Sequence, residues 1–270
     1  MSPFHIIDLN ALQVLDSRGR STLSVILTLA GGATGWAGVP SGASTGTREA
    51  VELRDGDPAH YGGAGVTRAA SSVTGPIADL LKGRPWRSLA EVDQALLALD
   101  GTPDKARLGG NAIVGTSMAT ARALAAAHGQ QLWEFLAPPE VTPRLPVPHF
   151  NVVNGGVHAP NRLDFQEFMI APIGAPSMAE AVRAGAEIYA MLRRNLAAAG
   201  QPTGLGDEGG FAPGFTHPRE VLAALVAAIS GAGYTPAVTR WPSPWTRPPP
   251  SSATATAATG WRASGCPAWR

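Results

Sequence analysis

This sequence predicts two tandem units of mixed structure, an α+β domain over residues 1–135 and an α/β unit over 140–236. Three observations carry the prediction. Apolar runs of strand length come first, at 4–15 and 21–29, and stretches of helical character follow at 69–81, 88–99 and 112–128. A proline-punctuated segment running from Pro138-Pro139 to Pro148 then marks a domain boundary. Beyond it lie a strand-like stretch and two more helical patterns.

The strands at 4–15 and 21–29 read as a meander turned by Asp16-Ser17-Arg18-Gly19, with Gly31-Gly32 as the next turn, and the three helices are expected to pack on it. Past the boundary, Phe165, Phe168, Met169 and Ile170 interleave with Gln166 and Glu167. A strand there turns the polar residues of Asp164-Phe165-Gln166 to one face. Ser177 with Glu180 reads as a capping box, opening a helix with apolar positions Met178, Val182, Tyr189, Leu192 and Leu196 that ends at Gly200. A second helix starts at Pro218, a residue suited to the first helical position, and runs to about Ser230. Both apolar stripes are expected to be ordinary core surfaces.

Chemistry concentrates in three places. Gly206-Asp207-Glu208-Gly209-Gly210 sets two carboxylates in a glycine-hinged loop, with little side-chain cover and a backbone free to aim an acid at a ligand. Residues 147–172 place Asn151, Asn154, Gly155, Gly156, His158, Asp164, Gln166 and Glu167 in apolar surroundings, and their polar face is expected to meet Glu208. Pro40-Ser41-Gly42-Ala43-Ser44-Thr45-Gly46 joins small hydroxyls to glycines in a loop able to close over a phosphate or offer an oxygen to a metal. Each alone has a plain reading: a surface glutamate, a histidine satisfied in an Asn/Gly-rich loop, a Ser/Gly turn. Together they are far more specific.

With these residues in place, the chain resembles the enolase family. The blocks VPSGASTGTREAVELRDGD, LDGTPDKARLGGNAIVGTSMATARA, VPHFNVVNGGVHAPNRLDFQEFMIAP and GLGDEGGFAP occur in the family's order, and the resemblance covers residues 5–236. Departures there are small: Arg20-Ser21 stands for Asn-Pro, and Gly110 for Ala.

The resemblance implies reversible dehydration of 2-phosphoglycerate to phosphoenolpyruvate in glycolysis, with two Mg²⁺ ions and a lysine base serving the enolate. It assigns Glu208 as donor of a proton to the leaving hydroxyl, with a pKa raised above the usual ~4.3. His158 and Glu167 join it as catalytic residues. Gln166, His158, Glu167, Ser41, Gly42 and Ala43 are the implied substrate contacts, and Ser44 the loop ligand of the second magnesium. The implied assembly is a homodimer, and the implied fold of the second unit is an enolase-type, TIM-like barrel. Such a barrel takes roughly 250 residues, far more than 140–236 supply, so it is expected to be incomplete. Strand edges left unpaired in it would lower solubility. The family's magnesium carboxylates, lysine base and phosphate-holding residues fall beyond the matching part, and the only lysines, Lys82 and Lys105, lie in the first domain. Turnover by this chain is not expected.

Residues 237–270 are of another kind. They hold four of the seven tryptophans, six of the 24 prolines, four arginines and the only cysteine, Cys266, yet no Asp, Glu or Lys. Back-translated with one extra base before Ala237, they allow GRDxVAIAxD as far as Thr246 and xAASEF as far as Ser252. The enolase family carries a similar segment just after AGYxP. A one-base frameshift near codon 237 and a disordered, out-of-frame tail are therefore expected, in preference to a natural disordered tail, which would be poor in tryptophan.

Net charge is +1, from 21 basic and 20 acidic residues, and setting aside the four tail arginines leaves 17 against 20, or −3. Nothing in that balance suggests a nucleic-acid partner. One cysteine excludes an internal disulfide and suits a reducing compartment. No apolar run approaches a membrane span, and MSPFHIIDLN lacks the features of a signal peptide, so a cytoplasmic enzyme is expected. Two other readings exist. One is a non-catalytic binding fragment that dimerises through residues 1–135. The other is a superfamily member acting on another carboxylate, against which SGASTG and GDEGG stand together.

Overall fold

An antiparallel meander organises the first unit: β1 (Phe4–Leu15) pairs β2 (Ser21–Leu29), which pairs β3 (Thr34–Gly38), and the short β4 (Pro85–Trp86) adds to the other side of β1. The computed structural model describes residues 3–42, 46, 48–206, 208–238 and 259–261. Its chain divides into the units Met1–Pro143 and Arg144–Arg270. The expected β1–β2 turn closes through Gly19, at φ +71°, whose amide donates to the Asp16 carbonyl at 3.0 Å.

The helix expected at 69–81 is broken into α1 (Thr67–Ser72), a single wide turn (Val73–Ile77) and α2 (Ala78–Leu81). Pro76 removes one backbone donor and crowds the preceding turn, while Gly75 takes the non-helical pair φ −101°, ψ −106°. The break costs no burial, since Val73, Ile77, Ala78 and Leu81 all sit in the core. Helix α3 (Leu89–Asp100) starts on Ser88, whose hydroxyl accepts from the Glu91 amide at 3.1 Å, and stops at Gly101, at φ +70°. Helix α4 (Gly110–Ala127) packs so closely on the sheet that a Cβ at Gly35 would lie 1.9 Å from the Ala119 carbonyl oxygen. A short α5 (Leu132–Leu136), which the sequence pattern did not suggest, follows.

Asp100 is 3 % exposed and accepts from the amides of Thr102 at 3.0 Å and Leu108 at 2.7 Å. Burial acts to raise its pKa, but these bonds and that from the Thr102 hydroxyl outweigh it, so the net shift is downward. A depressed folded-state value means stability that is present above the ordinary 3.8 and is lost as pH falls through the folded value. Asp100→Ala is expected to lower the unfolding free energy by about 1–3 kcal/mol. Urea denaturation at neutral pH measures the loss, and the gap from the parent chain should close as the medium is acidified below 3.8.

In the second unit β5 (Phe150–Asn154) pairs antiparallel with β6 (Glu167–Ala171), and α6 (Met178–Ala198) and α7 (Pro218–Gly231) cover them. Val152, Phe168, Ile170, Ile188, Leu192, Leu225 and Ile229 form its core. Two expectations are corrected here. Val182 is 48 % exposed, and the stripe that α6 buries is Ala181, Ala184, Gly185, Ile188, Leu192 and Leu196. Only half of the Ser177 box forms: the Ser177 hydroxyl accepts from the Glu180 amide at 3.2 Å, while the Glu180 carboxylate turns to Arg183. Among the described residues of 237–270, β8 (Thr259–Trp261) lies between β6 and β7 (Pro236–Val238), parallel to the first and antiparallel to the second. Its backbone meets the edge of β6, where N–H and C=O groups would otherwise lack sheet partners. The rest of the tail falls outside the described residues.

Each unit thus combines a four-stranded sheet with helices, and the second sheet, in the order β5-β6-β8-β7, is open rather than closed on itself. Among the described residues no helix is long and apolar enough to cross a membrane.

Candidate active site

Because β6 runs antiparallel to β5, the C-terminal end of one strand meets the N-terminal end of the other, and Asn154 faces Glu167 in register. The connection folds back on itself. The Gly155 amide donates to the Gln166 carbonyl at 2.9 Å, Gly156 donates to Leu163 at 2.8 Å, and the Asn161 amide side chain donates to the Asn154 carbonyl at 2.9 Å. A single turn, Gly156–His158, then places the His158 ring with only 4 % of its side chain exposed.

The loop 206–210 is held against the same strand end. Gly206 donates to the Gly210 carbonyl at 2.8 Å, Gly210 donates to Asn154 Oδ1 at 2.8 Å, and Phe211 exchanges backbone bonds with β5. Tyr189 of α6 stacks on Phe211 with ring centres 4.4 Å apart, and its hydroxyl donates to the Gly209 carbonyl at 2.8 Å. Close approach explains the outer glycines. A Cβ at Gly206 would lie 2.7 Å from the His158 carbonyl oxygen, and one at Gly210 2.6 Å from Asn154 Oδ1. Gly206→Ala is expected to cost about 1–3 kcal/mol, since the atoms it meets are backbone and a fully buried asparagine. Urea denaturation reads that cost, and an unchanged midpoint would show that the loop is not pressed on the strand.

Three of the side chains singled out by the sequence converge. His158 Nδ1 lies 3.5 Å from Glu208 Oε1, and one ligand-capable atom from each of His158, Glu167 and Glu208 falls within 4.8 Å of the others. Asn151 steadies Glu208, its Nδ2 donating to Oε2 at 3.1 Å. Burial, followed by the hydrogen bond and the like charge of Glu208, pushes the Glu167 carboxyl above the usual range, and His158 pulls the other way. Two carboxyls in contact hold a proton between them more readily than either does alone.

Glu167, rather than the 164–166 face, is what meets Glu208. The strand begins at Glu167, and residues 164–166 form the bend before it, where the Gln166 carbonyl accepts from the Gly155 amide. Gln166 lies against Gly156, its Cγ 3.0 Å from where a Cβ there would stand. Ser41, in the first unit, is committed to its own surroundings: its hydroxyl donates to Glu52 at 3.1 Å and accepts from Arg54 at 2.9 Å. Gly42 follows it, while Ala43, Ser44 and Asp207 lie outside the described residues. Sequence reasoning gave Asn151, Asn154 and Tyr189 no role. The asparagines stood in the motif as possible signals, but Tyr189 was hidden in an apolar stripe. A cavity of about 340 Å³ elsewhere in this unit is lined by Leu145, Val147, Pro172 and Met178, and none of the convergent residues reaches it.

Mg²⁺ favours near-octahedral oxygen donors. An imidazole and two carboxyls, one disposed to keep its proton, do not make that set, so these residues do not fit magnesium.

Comparison with known families agrees with the geometry. The family described as "Enolase, N-terminal domain" matches residues 6–136, and "Enolase, C-terminal TIM barrel domain" matches residues 142–240. The two matches together span most of the sequence and leave 241–270 outside them. The chain belongs to the enolase family.

Proposed function

We propose that the second unit carries the proton-donating half of a site for interconverting 2-phosphoglycerate and phosphoenolpyruvate, and that a polypeptide of these 270 residues does not complete the reaction. The supporting observation is the contact of Glu167, Glu208 and His158. Hydroxide leaves carbon only with a proton supplied to its oxygen, and a carboxyl pair that retains a proton can supply one. Asn151 fixes the orientation of Glu208, and the buried imidazole limits how far the pair can part.

The other half of the reaction takes a proton from carbon next to a carboxylate, which needs a base and stabilisation of the resulting charge. Neither lysine is suited to this. Lys105, in the first unit, sits at φ +60° and donates to the Pro103 carbonyl at 2.8 Å, and Lys82 ends α2 in the same unit. In the complete family two Mg²⁺ ions would supply charge stabilisation when bound, and Ser44 is the one ligand the resemblance assigns within this sequence. A turnover assay tests the reading.

The out-of-frame origin of residues 237–270 belongs to the same proposal, and the nucleotide sequence across codons 230–240 decides it. So do a cytoplasmic location and a homodimer. For the dimer, the support is the outer face of the meander, where Leu12, Ile26 and Trp36 are 58 %, 37 % and 59 % exposed. Sedimentation of the chain as a monomer would count against it.

A further inference from the structure

We propose that His158, Glu167 and Glu208 form a binding site for a zinc-class divalent cation. The site is the one read above as proton-donating, but the inference rests on its geometry and not on the reaction assigned to it.

His158 Nδ1 is buried and has no hydrogen-bond partner. It points into the cluster, 3.5 Å from Glu208 Oε1. That separation is long for a hydrogen bond. It suits two ligands of one tetrahedral ion, because Zn–N and Zn–O bonds of about 2.0–2.2 Å set ligand atoms roughly 3.4 Å apart. All three ligand atoms lie within 4.8 Å of one another, so small side-chain rotations would bring the set onto one ion. Asn151 fixes Glu208 from behind, with its Nδ2 on Oε2 at 3.1 Å, leaving Oε1 to face the imidazole. One neutral nitrogen donor and two carboxylates suit a borderline cation, while the nitrogen disfavours magnesium. A cation would also take the place of the proton held between the two carboxyls, releasing it to solvent, and give the orphan imidazole nitrogen a partner. Three protein ligands leave a fourth position for water.

The test is calorimetric titration of the whole chain with Zn²⁺ in excess Mg²⁺, in a Cys266→Ser background so that the lone thiol contributes nothing. One ion per chain is expected to bind, with magnesium failing to displace it. Glu208→Gln and Glu167→Gln should each weaken binding by at least about tenfold, and His158→Asn should do the same. The glutamine variants keep the shape of the carboxylates, and a circular dichroism spectrum matching the parent verifies that they fold. Zinc affinity unchanged in both folded glutamine variants, or equal competition by Mg²⁺, would overturn the proposal. Zinc binding in a chain without turnover leaves the two inferences separate, as each assay can fail without the other.

Discussion

Supplied with 2-phosphoglycerate at saturating Mg²⁺, a polypeptide of these 270 residues is expected to form phosphoenolpyruvate no faster than a protein-free control. Loss of a single stabilising donor from a catalytic site commonly costs 10²–10³ in rate, and loss of groups that act as a unit costs about 10⁶. The resemblance places the family's lysine base, its magnesium carboxylates and its phosphate-holding residues beyond the matching part of this sequence, and the second unit contains no lysine. What remains is a carboxyl pair beside an imidazole, a proton source with no carbanion to serve. The decisive comparison is a second protein made from the same gene with one base inserted before codon 237, so that the chain reads on through the family-like segment. Turnover restored by the insertion supports both the frame inference and the division of labour. Turnover by the uninserted chain close to that of a complete enolase would sink the reading, because the second unit contains no lysine to serve as the family's base.

Much of the site could be read from residue types, and the parts that could not have identifiable causes. Glu208, His158 and Glu167 stood out in glycine- and asparagine-rich motifs that support one another, and their roles came from the resemblance to the enolase family. The resemblance put the raised carboxyl at Glu208, whereas the structure raises Glu167, since a pKa depends on burial and on neighbours brought in by folding: Glu167 is desolvated at a strand end and touches Glu208. Tyr189 could not be separated from Leu192 and Leu196, because helical spacing does not say whether a ring's hydroxyl reaches a backbone carbonyl. The meander was clear from its runs and turns, yet β4 and α5 are too short for a periodic signal. The fracture of the first helix was open to prediction. Gly75-Pro76 announces it, but a continuous apolar pattern across 69–81 hides the break. The order β5-β6-β8-β7 lies beyond any such reading, as it draws on a tail whose composition promises no structure.

Phe211→Ala is expected to unfold the second unit and spare the first. The Phe211 ring is 1 % exposed, stacks on Tyr189 and packs with the Val152, Val153 and Phe168 core, and its backbone ties the site loop to β5. Removing a buried phenylalanine costs about 3–5 kcal/mol, through lost transfer energy and the cavity left behind. A domain commonly has only about 5–15 kcal/mol in total, and this one covers an incomplete sheet with two helices. The first unit has its own core, built on Leu23, Leu27, Ile77, Leu81 and Trp86, and should not register the change. Hydrogen exchange resolves the two. Amides of β5, β6 and α6 should exchange rapidly in Phe211→Ala while those of β1, β2 and α4 keep their protection. Phe211→Leu, which retains most of the apolar volume, should fall between parent and alanine variant. If β5 stays protected in the alanine variant, the loop 206–210 does not depend on this anchor, and the convergence of Glu208 with His158 must be held by the Asn154 and Tyr189 bonds alone.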